Sequence, residues 1–216
     1  MLTTRVGGPA DAPAVARLWT VANVARQAHL GLPLGPVAGA ASLPAAEDRV
    51  RERLAGPGAV LILAADPLAA DPLAADPLAA DPLAADPLAA DPLEDDPLED
   101  DPLEDDPFED GGEPVAMALV VQALALDGAS TEPLPGLAHV SMVAVHPDRW
   151  GRHLGGVVMA RAQLEARHAG YTRAQLWTHE TNHRAQRLYE RLGWTPSGRT
   201  TLDERGERIR HYTLDL

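Results

Sequence analysis

Proline returns at every fifth position between Asp66 and Asp110, in nine tandem pentapeptides: DPLAA five times, DPLED three times and DPFED once. Each proline lacks a backbone donor and drives the aspartate before it out of the helical region. No helix of useful length survives that spacing, and neither does a central strand. One leucine per pentapeptide is too sparse for a core. The carboxylates multiply toward the C-terminal end, so self-repulsion extends the segment. The repeat therefore reads as a disordered or polyproline-like connection. An expansion tolerated by the fold and an acidic tract for a partner or divalent cations both fit it, although the Gly-containing cation loop is absent. Its flanks differ. GAVLILAAD (58–66) and EPVAMALVVQALAL (113–126) are aliphatic runs bounded by turn residues, the pattern of strands. The repeat is then an overgrown link between two strands. Lengthening a flexible loop from a few residues to about 45 adds only roughly 2 kcal/mol of closure entropy.

The repeat also carries the acidity. The chain of 216 residues has a formal charge of -14, with 32 acidic and 18 basic residues. The repeat holds 17 of the acids, so the remainder carries 15 against 18 and is about +3. Every basic residue is Arg, and Cys is absent. Without Cys there is no thiolate nucleophile, disulfide or Cys-based zinc site. Without Lys there is no internal Schiff base and no Walker-type phosphate loop. The Ala/Arg/Gly/Pro bias suggests a bacterial gene of high GC content. The N-terminus has no apolar signal core, and the longest apolar run, 114–126, falls short of the ~20 residues that span a bilayer. The expectation is a cytoplasmic protein without nucleic-acid or membrane partners.

Outside the repeat, periodicity and breakers predict a strand at TTRVG and helices over 10–31 and 45–56, the first with Asp11 as cap and Gly31 as stop. Strands follow at 58–66, 113–126 and 137–147. A helix over 155–170, the strand RAQLWTH, a helix over 182–193 and a terminal hairpin complete the chain. The order is β-α-α-β-[repeat]-β-β-α-β-α-β-β: a single α/β domain over 1–216, interrupted at 66–110.

The most informative stretch is VSMVAVHPDRWGRHLGGVV. A strand ends, a proline turn follows, and Gly151, Gly155 and Gly156 stand beside Arg149 and Arg152 as a helix begins. Outward N–H groups at a helix start carry partial positive charge, and glycines let a pyrophosphate approach them. The dinucleotide pattern GxGxxG is not matched. A second element, LWTHETNHRAQRLYERLGW, lies one β-α unit later.

Together these stretches resemble the GNAT family of acetyl-CoA-dependent N-acetyltransferases. The first matches the family's V-x-P-x-x-R-G-x-G-I-G, with Trp150 where Arg or Gln is usual and His153 where the middle Gly is usual. The second follows N-x-x-A-x-x-x-Y-x-x-x-G-F, with Trp194 for Phe. The resemblance implies the GNAT fold, a mixed, mostly antiparallel sheet flanked by helices, with the acidic insertion between strands 2 and 3. It implies that Val143, Ala144 and Val145 meet the acetyl and pantetheine arm. Trp150, Gly151, Arg152, His153, Leu154, Gly155 and Gly156 would hold the pyrophosphate, and Asn182 would contact the cofactor arm. Tyr189 would protonate the departing thiolate, for which a phenol of pKa near 10 is suited. Strand alternation puts His139 and Ser141 on the face of Val143, which makes His139 the candidate base, acting through water. With no Cys, direct transfer in a ternary complex is expected. The acceptor, a small-molecule or peptide amine, is expected to meet residues 27–44 and the terminal hairpin. Family members are often dimers, so a homodimer is possible.

Two alternatives remain open. One is a degenerate member that only binds CoA or a partner. The other is zinc hydrolysis through HETNH (179–183), a literal H-E-x-x-H that needs both histidines on one continuous helix. Asn182 is a natural N-cap instead.

Overall fold

The computed structural model describes residues 2–31, 43–65, 112–128, 130–203 and 205–216. The repeat and the 32–42 segment lie outside them, so the reading of the repeat as extended is not addressed. The described elements are β1 (Thr3–Gly7), α1 (Ala12–His29), α2 (Leu43–Leu54), β2 (Val60–Ala65), β3 (Ala116–Leu124) and β4 (Pro133–Val145), then α3 (Leu154–His168), β5 (Arg173–His179), α4 (His183–Arg191), β6 (Thr195–Leu202) and β7 (Arg208–Asp215). The predicted order holds throughout, including two strands on either side of the repeat.

The strands form one seven-stranded sheet in the order β1-β2-β3-β4-β5-β7-β6. Every pair is antiparallel except β4 with β5. The all-aliphatic β2 is buried on both faces, which is why it reads as a continuous run rather than an alternation. Ile62 and Ala64 join a core under α3, together with Val158, Met159 and Ala162. Leu61 and Leu63 join a second core under α1 and α2, with Val15, Leu18 and Val50. The sheet is the middle of three layers.

Local chemistry explains the element ends. Asn182 caps α4, its side-chain oxygen accepting from the Ala185 N–H at 3.2 Å. Asp11 holds the N-cap position of α1 as expected, but its side chain makes no bond to the helix. A short 3₁₀ turn (Pro9–Asp11) precedes the helix, and the Asp11 carboxylate reaches back to the Gly8 N–H at 2.8 Å and to Arg5. Gly31 stops the helix with φ +64.

Strand β4 departs from simple alternation. Leu119 pairs with Met142 but Val120 pairs with Val140, so Ser141 has no partner in β3. This is a β-bulge. Before it, Ala138 and Val140 face the α3 core. After it, Met142 and Ala144 face the α1 core, and Val143 and Val145 turn toward α3.

Candidate active site

Parallel strands β4 and β5 pair only over Leu137–His139 and Arg173–Gln175, although they run on to Val145 and His179. Beyond His139 they part, and β4 keeps only its β3 neighbour. The β5-facing backbone edge of Val143, Ala144 and Val145 is therefore left without a strand partner inside the sheet. Ligands in open α/β sheets bind beyond the carboxyl ends of the strands, where neighbours diverge. An extended chain with amide groups can pair with such an edge.

At the end of β4, a 3₁₀ turn (Pro147–Arg149) leads into the glycine stretch. Gly151 sits at φ +82 and His153 at φ +58, as the N-cap of α3. None of the N–H groups from Gly151 through Gly155 donates to a backbone carbonyl among the described residues, whereas the Gly156 and Val157 N–H groups return to the His153 carbonyl. Successive free N–H groups at a helix start form a nest for an anion. Arg152 is exposed beside it. Gly155 marks the close approach of α3 to α4, since a Cβ there would lie 3.1 Å from a Leu188 methyl.

Trp150 replaces the expected cation but brings one near. Its indole N–H donates to the Val145 carbonyl at 2.9 Å, and the Arg184 guanidinium lies 5.3 Å from its ring centroid. On the α1 side His29 meets the indole edge-on at 6.1 Å. Trp150 thus ties the glycine turn to α1 and α4, and the displaced positive charge comes from α4.

Tyr189 lies on the inner face of α4, 7% exposed, between Trp194 and Tyr212. Burial pushes its phenol up to about 12, and Arg26 opposes the shift. Arg26 belongs to α1, across the sheet, so the two groups sense each other where β4 and β5 have separated. The Oδ1 of Asn182 is engaged in the α4 cap.

The bulge corrects the expected alternation. His139 precedes it and stands on the face opposite Val143, among Arg53, His211 and Asp127. Burial holds its imidazole down at about 4, and its Nδ1 has no hydrogen-bond partner. Ser141 is the bulge residue itself and is half-buried.

Sequence reasoning missed a cluster on the α1 side of the gap. Arg26 donates to the Asn23 side-chain oxygen through Nε at 3.3 Å and Nη2 at 3.1 Å. Its Nη1 lies 2.9 Å from His179 Nδ1, and His179 Nε2 lies 3.1 Å from Asp203 Oδ2. With Arg26 donating, Nδ1 accepts and Nε2–H donates to Asp203, the neutral tautomer. Burial and then Arg26 hold His179 below its usual pKa, against the pull of Asp203. A signal was present: Asn23, Arg26 and Gln27 fall at i, i+3 and i+4 on an otherwise Ala/Val/Leu-rich helix. Asp203, in the turn of the terminal hairpin, reaches this cluster through His179; of the 27–44 stretch, residues 32–42 lie outside the described ones. His179 ends β5 and His183 begins α4, with a turn between them. HETNH therefore does not form the continuous helix that a zinc-protease signature requires.

A family model described as "Acetyltransferase (GNAT) family" matches residues 78–194. No curated protein matches in sequence. The fold is similar to the ribosomal-protein-S18-alanine N-acetyltransferase from Escherichia coli, with 14% identity, TM-score 0.57, 100% of this chain and 94% of that one covered. It is similar to Salmonella typhimurium yncA, solved with its cofactor acetyl-CoA, with 16% identity, TM-score 0.59 and the same coverage of 100% and 94%. A GCN5-related N-acetyltransferase from Kribbella flavida gives 16% identity, TM-score 0.57 and coverage of 100% and 98%.

Proposed function

Because the chain belongs to the GNAT family of acetyltransferases, and so uses acetyl-CoA, we propose that it acetylates a primary amine by direct attack in a ternary complex. The observation that carries this reading is the parting of β4 and β5 beside a run of five free backbone N–H groups. Acetyl-CoA supplies the activated thioester. The nest at Gly151–Gly155, with Arg152 and Arg184, receives the pyrophosphate, and the edge at Val143 and the Val145 N–H pairs with the amide-bearing arm, the Val145 carbonyl being held by Trp150. N–H groups on that edge also suit the oxyanion that forms as the amine attacks. Asn182 keeps its side-chain N–H₂ for the cofactor arm while its oxygen holds the cap.

Tyr189 faces the leaving thiolate. A phenol held at about 12 stays protonated across the physiological range. Full proton transfer to a thiolate with a pKa near 8.5 is uphill, so Tyr189 acts chiefly by hydrogen-bonding the departing sulfur. The amine's proton leaves on the α1 side. His139, neutral and with an unbonded Nδ1, orients a water near Ser141, and the amine's proton passes through that water to solvent.

A thiol-release assay over a panel of primary amines tests the reading. Amine-dependent CoA release is expected, with Tyr189→Phe slower by about 10²-fold and acetyl-CoA affinity unchanged. An unaltered rate in that variant removes the role of Tyr189. Tight CoA binding with no turnover across the panel would instead identify a binding protein.

A further inference from the structure

Arg26 lies half-buried in the last turns of α1, and burial holds its guanidinium below its usual pKa. It forms no ion pair among the described residues. Of the charges that act on it, Arg205 is a like charge, and the carboxylate of Asp203 is bonded to His179 instead. Its described partners are neutral, the Asn23 amide and the His179 ring. A cation partly withdrawn from water without an anion is costly to the fold. Such a cost is retained where a ligand brings the missing charge.

Two further groups on the same helical face share that condition. Asn23 is 3% exposed and Gln27 1%, and the amide N–H₂ of each is buried without a hydrogen-bond partner. Each unmade bond of this kind is a cost to the fold. One turn of α1 therefore presents a guanidinium and two amide N–H₂ groups, and its surplus capacity is entirely that of donors. Its complement is a compact anion that only accepts. A carboxylate matches the planar guanidinium fork.

The place of this cluster decides whose carboxylate it is. Arg26 touches the last residue of β5, where β4 has already turned away, and it is sensed by Tyr189 through that gap. An anion bound there lies beside the reacting centre, on the face opposite the glycine nest.

We propose that the acceptor is a small amine bearing a carboxylate close to its amino group, of the amino-acid class, and that Arg26, Asn23 and Gln27 bind that carboxylate. The inference rests on the acetyl-transfer reading for the identity of the ligand as acceptor. When the carboxylate engages Arg26, His179 Nδ1 gives up its donor while Asp203 still fixes the ring through Nε2.

The test compares three forms of each compound: the free amino acid, its α-carboxamide and the corresponding decarboxylated amine. Calorimetric titration into the CoA-saturated full chain reads binding, and thiol release with acetyl-CoA reads turnover. Free acids are expected to bind, and to show kcat/KM at least about 10²-fold above the amides and amines, carried by KM. In Arg26→Gln that preference collapses toward unity, while acetyl-CoA affinity stays unchanged. Aminophosphonates in the same panel separate carboxylate recognition from general anion binding, and equal use of them overturns the carboxylate assignment. Equal binding of acids and amides by the wild-type protein overturns the proposal, and needs no variant to fold. Carboxylate-dependent binding without thiol release from any amine sustains the subsite and refutes acetyl transfer instead.

Discussion

His153 shows the cost of a side chain where only the backbone is needed. It holds φ +58 at the start of α3, in the left-handed region that disfavours a Cβ by about 1–2 kcal/mol. Replacing it by Gly relieves that cost but loosens the unfolded chain, so a net gain on the order of 0.5 kcal/mol is expected. Acetyl-CoA should also bind more tightly as the nest opens. His153→Ala keeps the Cβ and should give neither gain, so unfolding and calorimetry of the pair separate strain from a lost imidazole contact. His139 makes a pH-dependent prediction. Its folded pKa of about 4 lies below the ordinary imidazole value of 6.5. Between those values the unfolded chain binds a proton that the native one refuses, so stability falls as pH drops from 6.5 to 4. The loss is on the order of 3 kcal/mol. His146, His179 and His211 are depressed in the same direction. Urea unfolding at pH 7 and pH 5 should show about 2 kcal/mol of that loss, reduced in His139→Asn; an identical loss in that variant refutes the account.

At the scale of elements, order and type were legible because each run carries its own period and stop. The Ala-rich amphipathic stretches end at Gly31, Gly170 and Gly193, each with positive φ. What the sequence hid is non-local. The bulge at Ser141 exists only because β3 fixes the register of β4, and no residue in VSMVAV announces it. That slip moves His139 to the other face, so alternation alone misplaced the candidate base. The divergence of β4 and β5 is equally silent, since it depends on where pairing stops. The Arg26–His179–Asp203 chain joins three elements that lie far apart in sequence. The glycine nest was legible because its chemistry is local. The contact between α3 and α4 gives a prediction at this scale. Gly155→Val places atoms against Leu188 and Val145, which lie 3.1 and 3.7 Å from a Cβ. Overpacking of this kind costs about 1–3 kcal/mol, and acetyl-CoA affinity should fall at least tenfold while unfolding stays cooperative. Retained affinity would show that this approach does not shape the site.

For the molecule as a whole, the ends of the repeat meet a ready-made hairpin. Ala64 pairs with Ala116, and the Val115 N–H donates to the Ala64 carbonyl at 2.8 Å. Replacing 66–110 by a short Gly/Ser turn should therefore keep the fold and acetyl-CoA binding, with roughly 2 kcal/mol less closure entropy to overcome. Loss of cooperative unfolding in that variant would make the repeat structural. The deletion also takes the formal charge from -14 to about +3. Association with an anionic acceptor should then become faster at low salt, an effect that added salt erases. Among the described residues no helix is long and apolar enough to cross a membrane.

The gap between β4 and β5 has one more consequence. On the proposed reading, donor recognition lies on the α3 and α4 side of the sheet and the Asn23–Arg26–Gln27 donors lie on the α1 side, so the two halves of the reaction would share an opening and few residues. Under that proposal, three letters on one turn of α1 could be rewritten without disturbing the nest, and a new acceptor acquired while the old cofactor is kept. Such a sheet works as an adaptor, with one side standardised and the other free to drift.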